Sequence, residues 1–295
     1  MGCYRLVAAR AATILLIVSV ALLGFGCTSG RTTSQHEREP SETVIVAHRG
    51  GSLLAPENTL ASFQNGIDEG ADAIELDVHL SKDGQLIVMH DPSLYRTTGK
   101  EGYISDYTAD EIKALDARSS YSGQLAWDEQ RVPTLDEVMQ LLSRQIRPVD
   151  VQIEIKVDQW GNRYEGIEQA VIAVLHRYGY IERAMIISFD FPTLLEVKEL
   201  EPNLRLGALV SRAYLQSIGL KGPRVVAQSI ADLDVEYVAI NYAYLSPTLY
   251  SEFRSRGLGI GTWTVNNEKD IRRIAAMGVD FITSDRPDLL RQLLH

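Results

Sequence analysis

Eight short runs rich in valine and isoleucine recur between residues 44 and 283, and amphipathic stretches separate most of them. This alternation constrains the fold more than any other feature of the chain. A strand that is apolar throughout is buried on both faces, as parallel strands are when helices cover them. The runs are 44–48 (VIVAH), 73–78 (AIELDV), 149–155 (VDVQIEI), 184–189 (AMIISF), 205–210 (RLGALV), 236–240 (EYVAI), 259–265 (GIGTWTV) and 279–283 (VDFIT). Helices are expected over 59–69, 135–145, 165–178, 192–200, 246–256, 267–277 and 287–294. Thr59, Ser246-Pro247 and Asn266/Asn267 suit helix starts, and Gly70, Gly179, Gly257 and Gly278 suit left-handed caps at helix ends. Repeated strand–helix units point to a parallel barrel or a doubly wound sheet. Eight strands in roughly 250 residues favour the closed (β/α)8 TIM barrel.

One segment interrupts the alternation. In HLSKDGQLIVMHD (79–91), Asp83-Gly84 stands between two apolar runs, a hairpin-turn signal. Residues 85–89 are therefore expected as an antiparallel strand folded back over the barrel mouth. Residues 92–133, with scattered glycines and tyrosines, are expected as a small inserted subdomain between the second and third barrel strands. Thr134 followed by Glu137 is a capping-box pattern that restarts the barrel.

Ionisable residues cluster at the ends of these strands, where barrel enzymes carry their chemistry. Glu75 and Asp77 are two apart and so share one strand face; Glu154 ends the next barrel strand. Three carboxylates on adjoining strand ends suit a hard divalent cation, Ca²⁺ or Mg²⁺. His79 continues the same face, but nitrogen is a less natural ligand for such a cation, so a hydrogen-bonding role is expected. His48 and His90 arrive at the same rim. Two imidazoles can supply the base and the acid that phosphodiester cleavage requires. Asp91, as the neighbour of His90 in an alternating strand, is assigned a turn or structural role. Arg49 and Lys156 are expected to hold phosphate oxygens, with Gly50-Gly51 letting backbone come close to the phosphate. Glu57 is read as supporting the following helix, and His176 as a helix C-terminal residue. Trp263 fits either barrel packing or the wall of a substrate pocket, and Tyr242 and Tyr244 share that ambiguity.

In order, HRG (48–50), PENT (56–59), ELDV (75–78), SKDG (81–84), HD (90–91), PTLDEV (133–138), E-x-K (154–156) and WTVN (263–266) resemble the motifs of glycerophosphodiester phosphodiesterases. RTTGKEG (96–102) is a slightly altered form of that family's RTT-containing loop. The resemblance spans essentially all of 43–295. It implies a (β/α)8 barrel and metal-dependent hydrolysis of a glycerophosphodiester to sn-glycerol 3-phosphate and an alcohol. By the same resemblance His48 and His90 are the catalytic pair, Glu75, Asp77 and Glu154 the metal ligands, and Arg49 and Lys156 the phosphate contacts. The alternatives are a phospholipase D- or C-like enzyme acting on lyso- or intact lipids, and a non-catalytic binding lipoprotein on the same barrel.

The N-terminus reads as an address. Arg5 and Arg10 precede the apolar run 11–23, which is too short for a membrane span and suits a signal peptide over 1–26. A small residue before Cys27 resembles a bacterial lipoprotein cleavage site, with 27–42 as a flexible tether. The expected location is extracytoplasmic, anchored to a membrane through lipid on Cys27, or else secreted. The only other cysteine is Cys3, so the mature domain would hold no disulfide. A net charge of -10 argues against nucleic acid as a partner and leaves a small glycerophosphodiester as the expected ligand.

Overall fold

A computed structural model of the chain describes residues 43–123, 128, 130–218 and 221–295. Its strands are β1 (Val44–Ala47), β2 (Ala73–Leu80), β3 (Leu86–Val88), β4 (Asp150–Ile155), β5 (Ala184–Ser188), β6 (Arg205–Val210), β7 (Tyr237–Asn241), β8 (Gly259–Trp263) and β9 (Phe281–Ser284). Apart from β3, each pairs in parallel with its neighbours in the order β1-β9-β8-β7-β6-β5-β4-β2, and a β1–β2 pairing closes the ring. The result is the expected eight-stranded parallel TIM barrel. Closure sets the ends of β1 and β9, almost the whole domain apart in sequence, side by side, with Ala47 opposite Ser284.

The expected hairpin is present. β3 runs antiparallel to the last residues of β2, with Val78 opposite Val88 and Leu80 opposite Leu86. The insert that follows carries two short helices, α2 (Tyr95–Thr98) and α3 (Ala109–Lys113). It has its own small core, in which Leu94, Ile104, Ile112 and Val132 pack on Ile87 and Met89 beside the barrel.

The outer helices are α1 (Leu60–Asp68), α4 (Leu135–Ser143), α5 (Ile167–Tyr178), α6 (Phe191–Leu200), α7 (Arg212–Ile218), α8 (Pro223–Ala231), α9 (Pro247–Arg254), α10 (Glu268–Ala275) and α11 (Pro287–Leu294). α7 and α8, between β6 and β7, were not expected from the sequence. Adjacent valines obscure the period in α8, yet Pro223 opens its first turn and Val226, Ala227 and Ile230 are buried. Several starts are as expected. Thr59, Ser246 and Asn267 each accept a backbone N–H in the first turn, and Thr134 with Glu137 makes a reciprocal capping box. Such caps contribute about 1 kcal/mol each.

Alternation along the strands sorts the core into two parts. Ile74, Leu76 and Val78 of β2 and Val151, Ile153 and Ile155 of β4 face outward into the main apolar cluster shared with the helices. Ala73, on the opposite face of β2, packs inside the ring with Val46, Met185, Ile187, Leu209, Ala239 and Phe281. Glu75 and Asp77 follow Ala73 on that inner face, so the barrel interior is apolar toward one end and charged toward the other.

Candidate active site at the C-terminal rim of the barrel

The inward parity of β2 and β4 brings three carboxylates together. Asp77 lies opposite Glu154 in the β2–β4 register, and Glu75 is opposite Gln152. Oxygens of Glu75, Asp77 and Glu154 lie within 4.8 Å of one another, and all three residues are buried. Such a cluster is costly without compensation. Burial raises the Glu75 carboxyl, and the Asp77 charge adds to it, to about 7. Glu154 is also raised, by burial first and only partly offset by Lys156. Asp77 moves the other way. Burial works against its ionisation, but the charges of Lys156 and Arg49 hold it well below the usual carboxylate range.

Lys156 Nζ lies 2.7 Å from Glu154 Oε1 and 3.0 Å from Asp77 Oδ1. Asp77 Oδ2 accepts from Asn58 Nδ2 at 2.9 Å and lies 3.4 Å from Arg49 Nε. Asp77 Oδ1 is buried and accepts no aligned hydrogen bond among the described residues. Three converging carboxylates, two of them pushed toward protonation, fit the oxygen-only shell of a hard cation.

Both histidines are braced by aspartates. His48 sits in a single 3₁₀ turn (His48–Gly50) just past β1, and its Nδ1 donates to Asp285 Oδ1 at 2.6 Å. Its Nε2 is left toward Glu75, 4.0 Å from Oε2. Burial alone lowers an imidazole, yet the Asp285 hydrogen bond and the Glu75 charge outweigh it, so His48 is raised above its usual value. Asp285 follows β9 and also accepts from Ser52 Oγ at 2.5 Å and Asn266 Nδ2 at 2.6 Å. Despite burial, those donors hold its carboxyl at about 2.

His90 Nδ1 donates to Asp91 Oδ1 at 2.6 Å. Of the turn or structural role expected for Asp91, it has the structural one, but bonded to its neighbour His90 and not turned away from it. The expectation assumed strand alternation, but β3 ends at Val88, and beyond it consecutive side chains need not diverge. His79 has the hydrogen-bonding role expected of it. Its Nε2 lies 3.1 Å from the His90 carbonyl, which can only accept, so Nε2 carries the proton and Nδ1 accepts from the Tyr164 hydroxyl at 3.0 Å. Burial lowers its pKa to about 4, which keeps it neutral.

Arg49 reaches the site from a left-handed backbone, φ 51°, and its backbone N–H donates to Glu75 Oε2 at 2.9 Å. Its Nη1 donates to Glu57 Oε1 at 3.0 Å, so Glu57 acts on a site residue and not only on the following helix. The glycines after Arg49 also serve packing, and both adopt positive φ, 84° and 106°. A Cβ on Gly50 would lie 2.5 Å from the Ser62 backbone of α1, and one on Gly51 would lie 3.1 Å from Pro287 of α11. Asn58, also left-handed at φ 56°, was missed by sequence reading although it lies inside PENT. Asparagine tolerates that conformation better than most residues.

His48, Arg49, Glu75, His90, Glu154 and Trp263 line one pocket. Trp263 stands edge-on to Phe189, ring centroids 5.6 Å apart, and makes an apolar wall beside the charged groups. Tyr242 packs partly buried at the rim, Tyr244 is exposed, and neither is among the pocket residues. His176 pairs with Glu201 at 2.7 Å on the outer surface. Cys27 and the segment 1–42 lie outside the described residues.

Comparison with known proteins supplies an independent line. A protein of Caldanaerobacter subterraneus subsp. tengcongensis named glycerophosphodiester phosphodiesterase is 36% identical over 256 residues, covering 86% of this chain and 98% of its own. The crystal structure of glycerophosphodiester phosphodiesterase from Agrobacterium tumefaciens superposes with a TM-score of 0.69 at 30% identity, over 85% of this chain and all of that one. An Oleispira antarctica phosphodiesterase in complex with the product sn-glycerol-3-phosphate superposes with a TM-score of 0.70 at 28% identity, over 85% of this chain and 96% of that one. The family model described as the glycerophosphoryl diester phosphodiesterase family matches residues 48–289. The chain belongs to the glycerophosphoryl diester phosphodiesterase family.

Proposed function

We propose that this protein hydrolyses glycerophosphodiesters to sn-glycerol 3-phosphate and an alcohol, using a divalent cation, Ca²⁺ or Mg²⁺. The observation that carries the reading is the meeting of two aspartate-braced imidazoles with three buried carboxylates around one pocket. Glu75, Asp77 and Glu154 would hold the cation, which when bound supplies positive charge to the phosphate oxygens. Arg49 and Lys156 add fixed positive charge beside it. With Nδ1 of each histidine committed to an aspartate, Nε2 is the nitrogen left to move a proton. One imidazole removes a proton from the water that attacks phosphorus while the other protonates the departing alkoxide, so one phosphorus–oxygen bond forms as the other breaks and proton balance is kept within the pair. Trp263 and Phe189 would take the carbon skeleton of the substrate.

Purified protein should release glycerol 3-phosphate from a panel of glycerophosphodiesters differing in head group, with acylglycerol 3-phosphate as the corresponding product if a lysophospholipid is accepted, and chelator should stop it. Full turnover in excess chelator sinks the metal role; release of a phosphorylated head group in place of glycerol 3-phosphate sinks the regiochemistry.

We propose further that the barrel lies outside the cytoplasm on a lipid tether through Cys27. No described helix is long and apolar enough to cross a membrane. Cys27→Ser should abolish labelling by a fatty-acid probe and move the protein from the membrane fraction, with catalysis retained. Unchanged labelling of that variant counts against the anchor.

A further inference from the structure

Arg96 belongs to α2 of the insert and to none of the strand ends that build the site. Its guanidinium lies between two carboxylates, each of which braces a different site residue. Nε and Nη2 donate to Asp91 at 2.6 and 3.2 Å, while Nη1 and Nη2 donate to Glu57 at 2.8 Å each. Asp91 Oδ1 also accepts from His90 Nδ1 at 2.6 Å, and Glu57 Oε1 also accepts from Arg49 Nη1 at 3.0 Å. One planar cation therefore connects His90 to Arg49 through oxygens it shares with each of them. A guanidinium suits this place because its rigid fork gives each carboxylate paired contacts; a lysine ammonium can touch two carboxylates, as Lys156 does, but cannot offer two planar pairs.

The side chain of Arg96 is 40% exposed. Ion pairs of that exposure contribute little to stability, so the consequence of this geometry is chiefly one of position. We infer that Arg96 is a positioning residue through which the insert sets His90 and Arg49 relative to each other. The inference rests on the roles proposed above for those two residues. It also gives the insert a task in the chemistry. Without Arg96, Asp91 keeps His90 but loses its own anchor, and Glu57 keeps Arg49 but is free to turn with it. The imidazole and the phosphate-holding guanidinium then wander independently.

The test is a double-mutant cycle on the full-length protein, with thermal unfolding recorded for every variant. Arg96→Met should lower kcat about 10–100-fold, the usual scale for losing a group that orients an active one. KM should rise severalfold through Arg49. Arg96→Lys should fall between Arg96→Met and wild type, since it keeps the charge but loses the planar paired contacts that fix both carboxylates. In a His90→Ala background, Arg96→Met should change kcat by less than about threefold while still raising KM, because the residue it orients is already gone.

Fully multiplicative losses of kcat in the double variant would overturn the inference and leave Arg96 a structural role. Wild-type kinetics for Arg96→Met beside a crippled His90→Ala overturns it as well, without touching the histidine assignment. Near-normal turnover of His90→Ala itself removes the histidine assignment and the inference together. Should Arg96→Met not fold, Arg96→Lys and Arg96→Gln carry the same cycle.

Discussion

The two histidine–aspartate pairs reach similar geometry by opposite routes. His48 and Asp285 are 237 residues apart and meet because closure sets the ends of β1 and β9 side by side. His90 and Asp91 are neighbours in sequence, and a side chain from the insert holds them from outside. The first pair is the more enclosed. The His48 side chain is 18% exposed against 35% for His90, and Asp285 takes two further hydrogen bonds from Ser52 and Asn266. One half of the site is thus part of the barrel's closure, while the other half is local and adjustable. The contrast teaches that equivalent chemistry does not require equivalent coupling to folding.

The comparison predicts that the halves match in catalysis and differ in stability. His48→Ala and His90→Ala should each lower turnover by about 10²–10⁴-fold, the range of general acid or base catalysis. Near-normal turnover in either, with folding intact, breaks the equivalence. The aspartates should separate the halves. Asp285→Asn and Asp91→Asn should each cost about 10–100-fold in kcat, since each fixes the tautomer and orientation of its imidazole. Only Asp285→Asn should also lower the unfolding midpoint clearly, because it disturbs three partners at the seam of the barrel. Equal thermal shifts for the two variants would erase the distinction drawn here.

The pH dependence of that stability difference sharpens the point. The Asp285 carboxyl is depressed in the folded state to about 2, so its contribution is present above the unfolded value of roughly 3.9 and is lost as pH falls toward about 2. His48 is raised, so its share is present below the unfolded value of roughly 6.5 and is lost as pH rises through the folded one. The gap between wild type and Asp285→Asn should therefore be largest between about pH 4 and 6.5, on the order of 2 kcal/mol, and shrink on both sides. Unfolding midpoints across pH 2–9 in metal-free buffer, about that range, would read it. A gap independent of pH contradicts the pairing.

The smallest expected effect concerns Glu75, on the His48 side. Burial and the Asp77 charge place its carboxyl at about 7, and a cation can bind it well only when it is ionised. Calorimetry in buffers of different ionisation heat should show cation binding releasing up to about one proton near pH 6 and much less near pH 9. Affinity should weaken as pH falls through 7. Binding without proton release at pH 6 would separate Glu75 from the cation.

Much of this was legible in the chain because its signals are local. A period of two is enough to put Glu75 and Asp77 on one face, and Asp83-Gly84 is enough to turn the β3 hairpin. Thr134 and Glu137 announce their helix within four residues. The count of apolar runs determined the barrel, and the ordered motifs determined the family. Where the local rule stopped applying, sequence reading failed. The side chain of Asp91 was oriented by strand alternation that had already ended at Val88, and the packing of Gly50-Gly51 on Ser62 and Pro287 had no local signal. Asp285 had no sequence signal tying it to His48 beyond its place after the last strand, and Arg96 none tying it to Arg49. Those partnerships exist because a closed sheet joins its first and last strands and because the insert folds back over the rim. Periodicity, turns and caps are set by neighbours within a few residues, so the sequence alone carries them. Which distant carboxylate braces which imidazole is set by closure and packing, and only the tertiary structure decides it.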